Sequence, residues 1–201
     1  RELTIKNIEK LLDMGAKSIV VACNTATSAA VRVLRQMYPE IPLVGIEPAI
    51  KPAVEYKEKS RVVVMATPMT LKQEKFQNLM KKYENQAEIV PLPCPGLMEF
   101  VERGDLEGED LYNYLSILFG SVNSKKIDSV VLGCTHYPFA KKAIEAVVGK
   151  DVQIFDGGEG TAREMRRRMQ CASLINPSKE KGTVKTHVKT CHLFSRHRLP
   201  L

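Results

Sequence analysis

The chain has 201 residues, 44% of them hydrophobic and 26% charged, with a formal net charge of +7. This is the composition of an ordinary soluble globular protein, with enough chain for one large domain or two modest ones. No apolar run reaches the length of a membrane span and nothing at the start resembles a secretory signal.

Five cysteines (Cys23, Cys94, Cys134, Cys171 and Cys191), an odd number without a signal peptide, indicate a reduced, cytoplasmic protein rather than a disulfide scaffold. Much of the positive excess lies in Arg166-Arg167-Arg168 and in the tail from Lys179 to Arg198. Basic residues at a helix end and in a tail are ordinary solvated surface. No zinc-finger spacing or nucleic-acid signature accompanies them, which argues against a nucleic-acid-binding module. The first residue is Arg rather than Met, and the expectation is a chain missing its true N-terminus.

In chain order, Ile5, Ile8, Leu11 and Leu12 predict a helix that Gly15 stops. A strand follows at 17–22, a helix over 26–37, and after Pro39 and Pro42 a short strand at 43–46. A helix near 49–57, a strand at 62–65 and a helix over 70–82 come next. Ile89-Val90 marks a strand, and Pro91, Pro93 and Pro95 predict a stiff turn around Cys94. Helices near 96–103 and 109–122 lead to a strand at 129–132, a helix at 139–148, a strand at 152–155 and a helix over 159–170. Short apolar strands between amphipathic helices indicate α/β architecture with mostly parallel sheet.

Two stretches share one plan. Ser18-Ile19-Val20-Val21-Ala22-Cys23 runs into Asn24-Thr25-Ala26-Thr27, and Ser129-Val130-Val131-Leu132-Gly133-Cys134 runs into Thr135-His136-Tyr137-Pro138. Each is followed by a helix and a second strand, so two similar α/β domains with a cleft between them are expected. Ligands in such sheets sit beyond the carboxyl ends of strands, where both cysteines fall. A buried cysteine at a strand end is usually structural; the paired context instead points to two catalytic groups facing one substrate.

Both thiols are expected at helix N-termini, where unpaired N–H groups favour negative charge. His136 stands two residues from Cys134, placed to shuttle a proton or stabilise a thiolate. Asn24, Thr25 and Thr135 are short polar groups suited to a carboxylate, and Thr67, at the end of the 62–66 strand, is a third-strand candidate for the same work. Cys94, among prolines, reads as structural, and Cys171 and Cys191 show no functional case. Cys134 with His136 has no second pair at ligand spacing, so no metal site is expected. Gly157-Gly158-Glu159-Gly160-Thr161 reads as a strand-to-helix turn, lacking a P-loop lysine.

The two cysteine motifs closely resemble the paired signatures of the bacterial glutamate racemases, and Pro93-Cys94-Pro95-Gly96-Leu97 with Val101-Glu102 and Asp156-Gly157-Gly158-Glu159-Gly160-Thr161-Ala162 extend the likeness over residues 5–180. The wider superfamily includes aspartate and hydantoin racemases and maleate isomerase. The resemblance implies a cofactor-independent enzyme interconverting L- and D-glutamate for peptidoglycan, with Cys23 deprotonating D-glutamate and Cys134 deprotonating L-glutamate. Asn24, Thr25, Thr67, Thr135 and His136 match the family's substrate contacts, His136 assists the second thiol, and Glu102 matches an acidic residue near it.

It further implies a cytoplasmic homodimer with no cofactor or metal, and a discontinuous first domain (1–46 plus about 156–201) flanking a second at about 47–155. The family begins with a strand and an Asp-Ser loop, followed by a Tyr-Gly loop, none of which is present in these residues; a polypeptide lacking them is expected to be impaired or inactive. The alternatives are a related aspartate- or hydantoin-type racemase or isomerase, and an inactive remnant that binds an acidic ligand. The basic segment 182–201, with only a weak alternation at Val184 and Val188, departs from the family's closing strand and helix and carries no assigned role.

Overall fold

The computed structural model describes residues 1–122, 125–178 and 180–185. Cys191, Val188 and most of the basic tail therefore lie outside the described residues. The chain begins with α1 (Glu2–Asp13), β1 (Ile19–Val21), α2 (Asn24–Met37) and β2 (Leu43–Gly45). It continues with α3 (Ile50–Glu55), β3 (Arg61–Ala66), α4 (Pro68–Leu71), α5 (Glu74–Lys81) and β4 (Glu88–Pro93). Then come α6 (Leu97–Arg103), α7 (Glu109–Gly120), β5 (Ser129–Leu132), a 3₁₀ turn (Tyr137–Ala140), α8 (Lys141–Val148), β6 (Gln153–Asp156) and α9 (Gly158–Cys171).

All strand pairings are parallel and fall into two sheets, β1-β2 and β4-β3-β5-β6. Every residue of β3 and β5 is buried, which is why these strands read as unbroken apolar runs. Side chains alternate between the two faces of the larger sheet. Val63, Met65, Val130 and Leu132 pack with Leu97, Leu111, Leu115 and Tyr137 on one face. Val62, Val64 and Val131 pack with Ile50, Phe76 and Tyr83 on the other. A separate core beneath the small sheet joins Ile8, Ile19, Val21, Val31, Leu34 and Leu43. Helix α9 returns to this small sheet, where Arg168 donates to the Leu43 carbonyl at 3.2 Å.

Three sequence expectations are corrected. Pro91 and Pro93 do not form a turn: they belong to β4, an edge strand. Glu88 N donates to Ser60 O and Cys94 N to Ala66 O, so the even-numbered positions face β3 and the two prolines turn their donor-free nitrogens outward. The helix expected over 70–82 is two helices. Thr67 caps an earlier turn by accepting from Thr70 N, and Gln73, extended at ψ 130°, restarts the chain as α5. The second cysteine does not sit at an α-helix start: Cys134 precedes the 3₁₀ turn, and α8 begins only at Lys141.

Candidate active site

Both thiols stand two residues past a strand, Cys23 after β1 and Cys134 after β5. Cys23 is exposed and is the extended residue (φ −132°, ψ 123°) preceding α2, so the unpaired first N–H groups of that helix open beside it. Its strand and helix are locked by Thr27, which donates to Val21 O at 3.1 Å. Gly45 permits that packing, because a Cβ there would meet Thr27 Cγ2 at 2.4 Å.

Cys134 is half-buried, and the residue before it is held against β3: Gly133 N donates to Met65 O at 2.7 Å. The two thiol-bearing segments are joined directly. Asn24 Nδ2 donates to Gly133 O at 2.9 Å, linking the residue after Cys23 to the residue before Cys134. That bond uses the amide nitrogen and leaves Asn24 Oδ1 buried with no partner among the described residues. A buried orphan acceptor is costly unless a ligand satisfies it.

His136 Nδ1 lies 3.6 Å from Cys134 Sγ, and its Nε2 lies 2.6 Å from Glu102 Oε1. Thiol, imidazole and carboxylate form one line. The hydrogen bond with Cys134 raises the His136 pKa to about 8, against partial burial, and the Glu102 carboxylate adds to the rise. A protonated imidazole at Nδ1 can stabilise a Cys134 thiolate, and a neutral one can accept the thiol proton. Glu102 touches His136 rather than the thiol and orients the ring.

Thr25, in the first turn of α2, and Thr67, the cap of α4 just past β3, are bridged by a residue the sequence does not single out. Thr70 Oγ1 lies 3.1 Å from Thr25 Oγ1 and 2.9 Å from Thr67 Oγ1, and Thr70 is only 2% exposed. The available signal was Thr67-Pro68-Met69-Thr70 itself, since a capping threonine followed by proline sets the third residue's hydroxyl beside the cap. Thr135 is half-buried next to Cys134.

The remaining cysteines lie apart from this chemistry. Cys94 is 2% exposed, its thiol donates to Leu92 O at 3.2 Å, and burial pushes its pKa up to about 12. Cys171 is exposed at the last residue of α9. Among the described residues, no three His, Cys, Asp or Glu side chains converge as a metal-ligand set. Of the stretch expected as a strand-to-helix turn, only Gly157 lies between β6 and α9, and residues 158–161 are the first turn of that helix.

A cavity of about 220 Å³ among Phe119, Lys126, Ile127, Val147, Val148 and Asp151 opens at the opposite end of the large sheet and takes no part in the site. A gap of about 20 Å³ beside Asn24 and Thr27 is lined in part by Glu47 and Lys75, which pair at 2.7 Å.

The family described as Asp/Glu/Hydantoin racemase matches residues 2–165. A glutamate racemase of Clostridium perfringens is 53% identical over 184 residues, covering 92% of this chain and 71% of that protein. One from Clostridium acetobutylicum is 51% identical over 185 residues, covering 92% and 72%. Among solved structures, a glutamate racemase isoform from Bacillus anthracis superposes with a TM-score of 0.76 at 26% identity, covering 88% of this chain and 66% of that one. The Escherichia coli glutamate racemase, solved with L-glutamate and the activator UDP-MurNAc-Ala, gives 0.71 at 25% identity, covering 89% and 70%.

Proposed function

The chain belongs to the Asp/Glu/hydantoin racemase family, and from that membership we propose that it interconverts L- and D-glutamate by proton transfer between Cys23 and Cys134, without a cofactor. Inverting a stereocentre by proton transfer needs a base on one face of the carbon and an acid on the other. The observation that carries the reading is the 2.9 Å bond from Asn24 to Gly133, which draws the two thiol-bearing strand ends together.

In this reading the α-carbon lies between the thiols. Cys134, as thiolate beside the His136 imidazolium, removes the proton of L-glutamate, and the Cys23 thiol delivers one to the opposite face. The reverse reaction begins at Cys23. The carbanion is stabilised by donors set in place beforehand: the first N–H groups of α2 and the hydroxyls of Thr25, Thr67 and Thr135 converge on carboxylate oxygens. Asn24 Oδ1, buried and without a partner among the described residues, accepts from the substrate ammonium.

Residues 1–46 with the returning helix α9, and residues from about 47 to about 155, form the two domains that flank the substrate. The separate apolar core under the small sheet and the return of α9 to β2 support that division. No described helix is long and apolar enough to cross a membrane. A cytoplasmic homodimer supplying D-glutamate for peptidoglycan extends the same reading, and light scattering on the purified protein tests the dimer.

The deciding experiment is α-deuterium incorporation into D- and L-glutamate in D₂O by wild type, Cys23→Ala and Cys134→Ala. Each substitution is expected to abolish exchange for a different enantiomer. No exchange from either enantiomer by folded wild type, or exchange that survives both substitutions, overturns the proposal.

A further inference from the structure

Helix α6 is seven residues long, yet it carries Glu102, the carboxylate that holds His136. Two left-handed glycines bracket it, Gly96 at φ +90° and Gly104 at φ +74°, and neither has a side chain to anchor an end. Leu97 and Val101 bury its inner face. Apolar burial is non-directional, so those contacts fix the depth of the helix better than its rotation or slide.

Of the directional contacts, one comes from the 3₁₀ turn, where Tyr137 donates to Cys94 O at 3.3 Å, and the others come from α7. Tyr114 donates its hydroxyl to Pro95 O at 2.9 Å, just ahead of the helix. Its ring packs against Phe100 at 5.5 Å between centroids, with planes inclined at 41°. Phe100 also holds the Arg103 guanidinium 4.8 Å from its ring centre. One tyrosine thus grips the lead-in and the middle of the helix, two residues before Glu102.

We propose that Tyr114 is a positioning residue for the Cys134–His136 pair, holding α6 through Pro95 and Phe100 so that the Glu102 carboxylate reaches His136. The role rests on the reading of Cys134 as a proton-transfer group. The groups facing His136 are Cys134 and Glu102, and those facing Tyr114 are Cys94 and Glu99. Burial, reinforced by those two neighbours, raises the Tyr114 pKa, so its hydroxyl remains a donor throughout the working range.

The test is NMR titration of the His136 ring in wild type, Tyr114→Phe and Phe100→Leu, each also combined with Glu102→Gln, alongside rates in both directions. Tyr114→Phe keeps the ring and removes the Pro95 bond; Phe100→Leu keeps the bond and removes the stacking. Either change is expected to move the His136 midpoint from about 8 toward the ordinary value of ~6.5. The kcat for L-glutamate is expected to fall roughly three- to tenfold, less than the ~10² or more of deleting a general base, with KM little changed. With Glu102→Gln present, neither substitution should change the midpoint further.

A His136 midpoint unmoved in folded Tyr114→Phe and Phe100→Leu, or one that falls equally in the Glu102→Gln background, overturns the role. If Tyr114→Phe fails to fold, Phe100→Leu decides alone. The midpoint is read without substrate, so a wild type that fails to racemise glutamate defeats the proposed function while the titration still decides the role of Tyr114.

Discussion

The hydroxyl of Thr25, on the helix behind Cys23, meets the hydroxyl of Thr70 at 3.1 Å across the boundary between two separate sheets. Thr70 also contacts Thr67 at 2.9 Å, so one buried side chain sets the spacing of two candidate carboxylate donors. Each threonine hydroxyl has one proton to give, and Thr70 therefore fixes which of its neighbours has a proton left for a ligand.

Thr70→Val keeps the shape and deletes that link. The change is expected to destabilise the protein by about 1–3 kcal/mol, since Thr25 and Thr67 lose a partner. Glutamate KM should rise more than kcat falls. Urea unfolding together with steady-state kinetics in both directions checks both effects; an unchanged KM would remove Thr70 from the site.

His136 makes stability depend on pH in a definite direction. Its folded pKa of about 8 lies above the ~6.5 of an unfolded chain, so the folded state binds the proton more tightly. The stabilisation is complete below about 6.5 and is lost as pH rises through about 8. Wild type should lose stability relative to His136→Asn between pH 6 and pH 9. Parallel urea titrations at those two pH values measure the difference, and a constant gap would rule out the raised pKa.

Gly133 is needed for space. A Cβ there would lie 2.6 Å from Met65 O and 3.2 Å from Ala66 Cβ, so the end of β5 must move away from β3. Gly133→Ala is expected to cost about 1–3 kcal/mol, the scale of overpacking. Because the same residue accepts the Asn24 bond, exchange at both enantiomers should drop together. Loss confined to one enantiomer would show that the two thiols are positioned independently.

Cys94 should behave as a packing residue. With its pKa pushed up to about 12, it is expected to resist iodoacetamide at neutral pH, while the exposed Cys23 is alkylated readily. Cys94→Ala should cost on the order of 1 kcal/mol, the effect of deleting one buried heavy atom, and leave exchange intact. Mass-spectrometric mapping of the alkylated cysteines checks the order of reaction.

Strand β5 and the Val62–Ala66 run of β3 were legible because a strand buried on both faces is apolar along most of its length, and β1 read the same way although its Val20 is exposed. The Cys134–His136 pair was legible from its spacing, whereas Glu102 was legible only through resemblance, since it approaches from a helix more than thirty residues earlier. The contact of Thr70 with Thr67 lies within a local capping pattern, but its contact with Thr25 is set by the meeting of two sheets, which no local pattern encodes. The symmetry of the two cysteine motifs overstated the structural symmetry: Cys23 precedes a full α-helix, whereas Tyr137-Pro138 winds a tighter 3₁₀ turn after Cys134. Pro91 and Pro93 read as a turn because strand order, and hence which edge stays open, is a property of the whole sheet.

Those two prolines also determine what can happen at the open side of the larger sheet. The outward-facing positions of β4 are residues 89, 91 and 93, and only Ile89 among them has an N–H to offer. An incoming strand from another molecule would find carbonyls but almost no donors, and could not zip along the edge. Two of the edge's three outward donors are absent covalently, so protection against ribbon-like aggregation persists whenever this sheet is formed, whatever the concentration or pH.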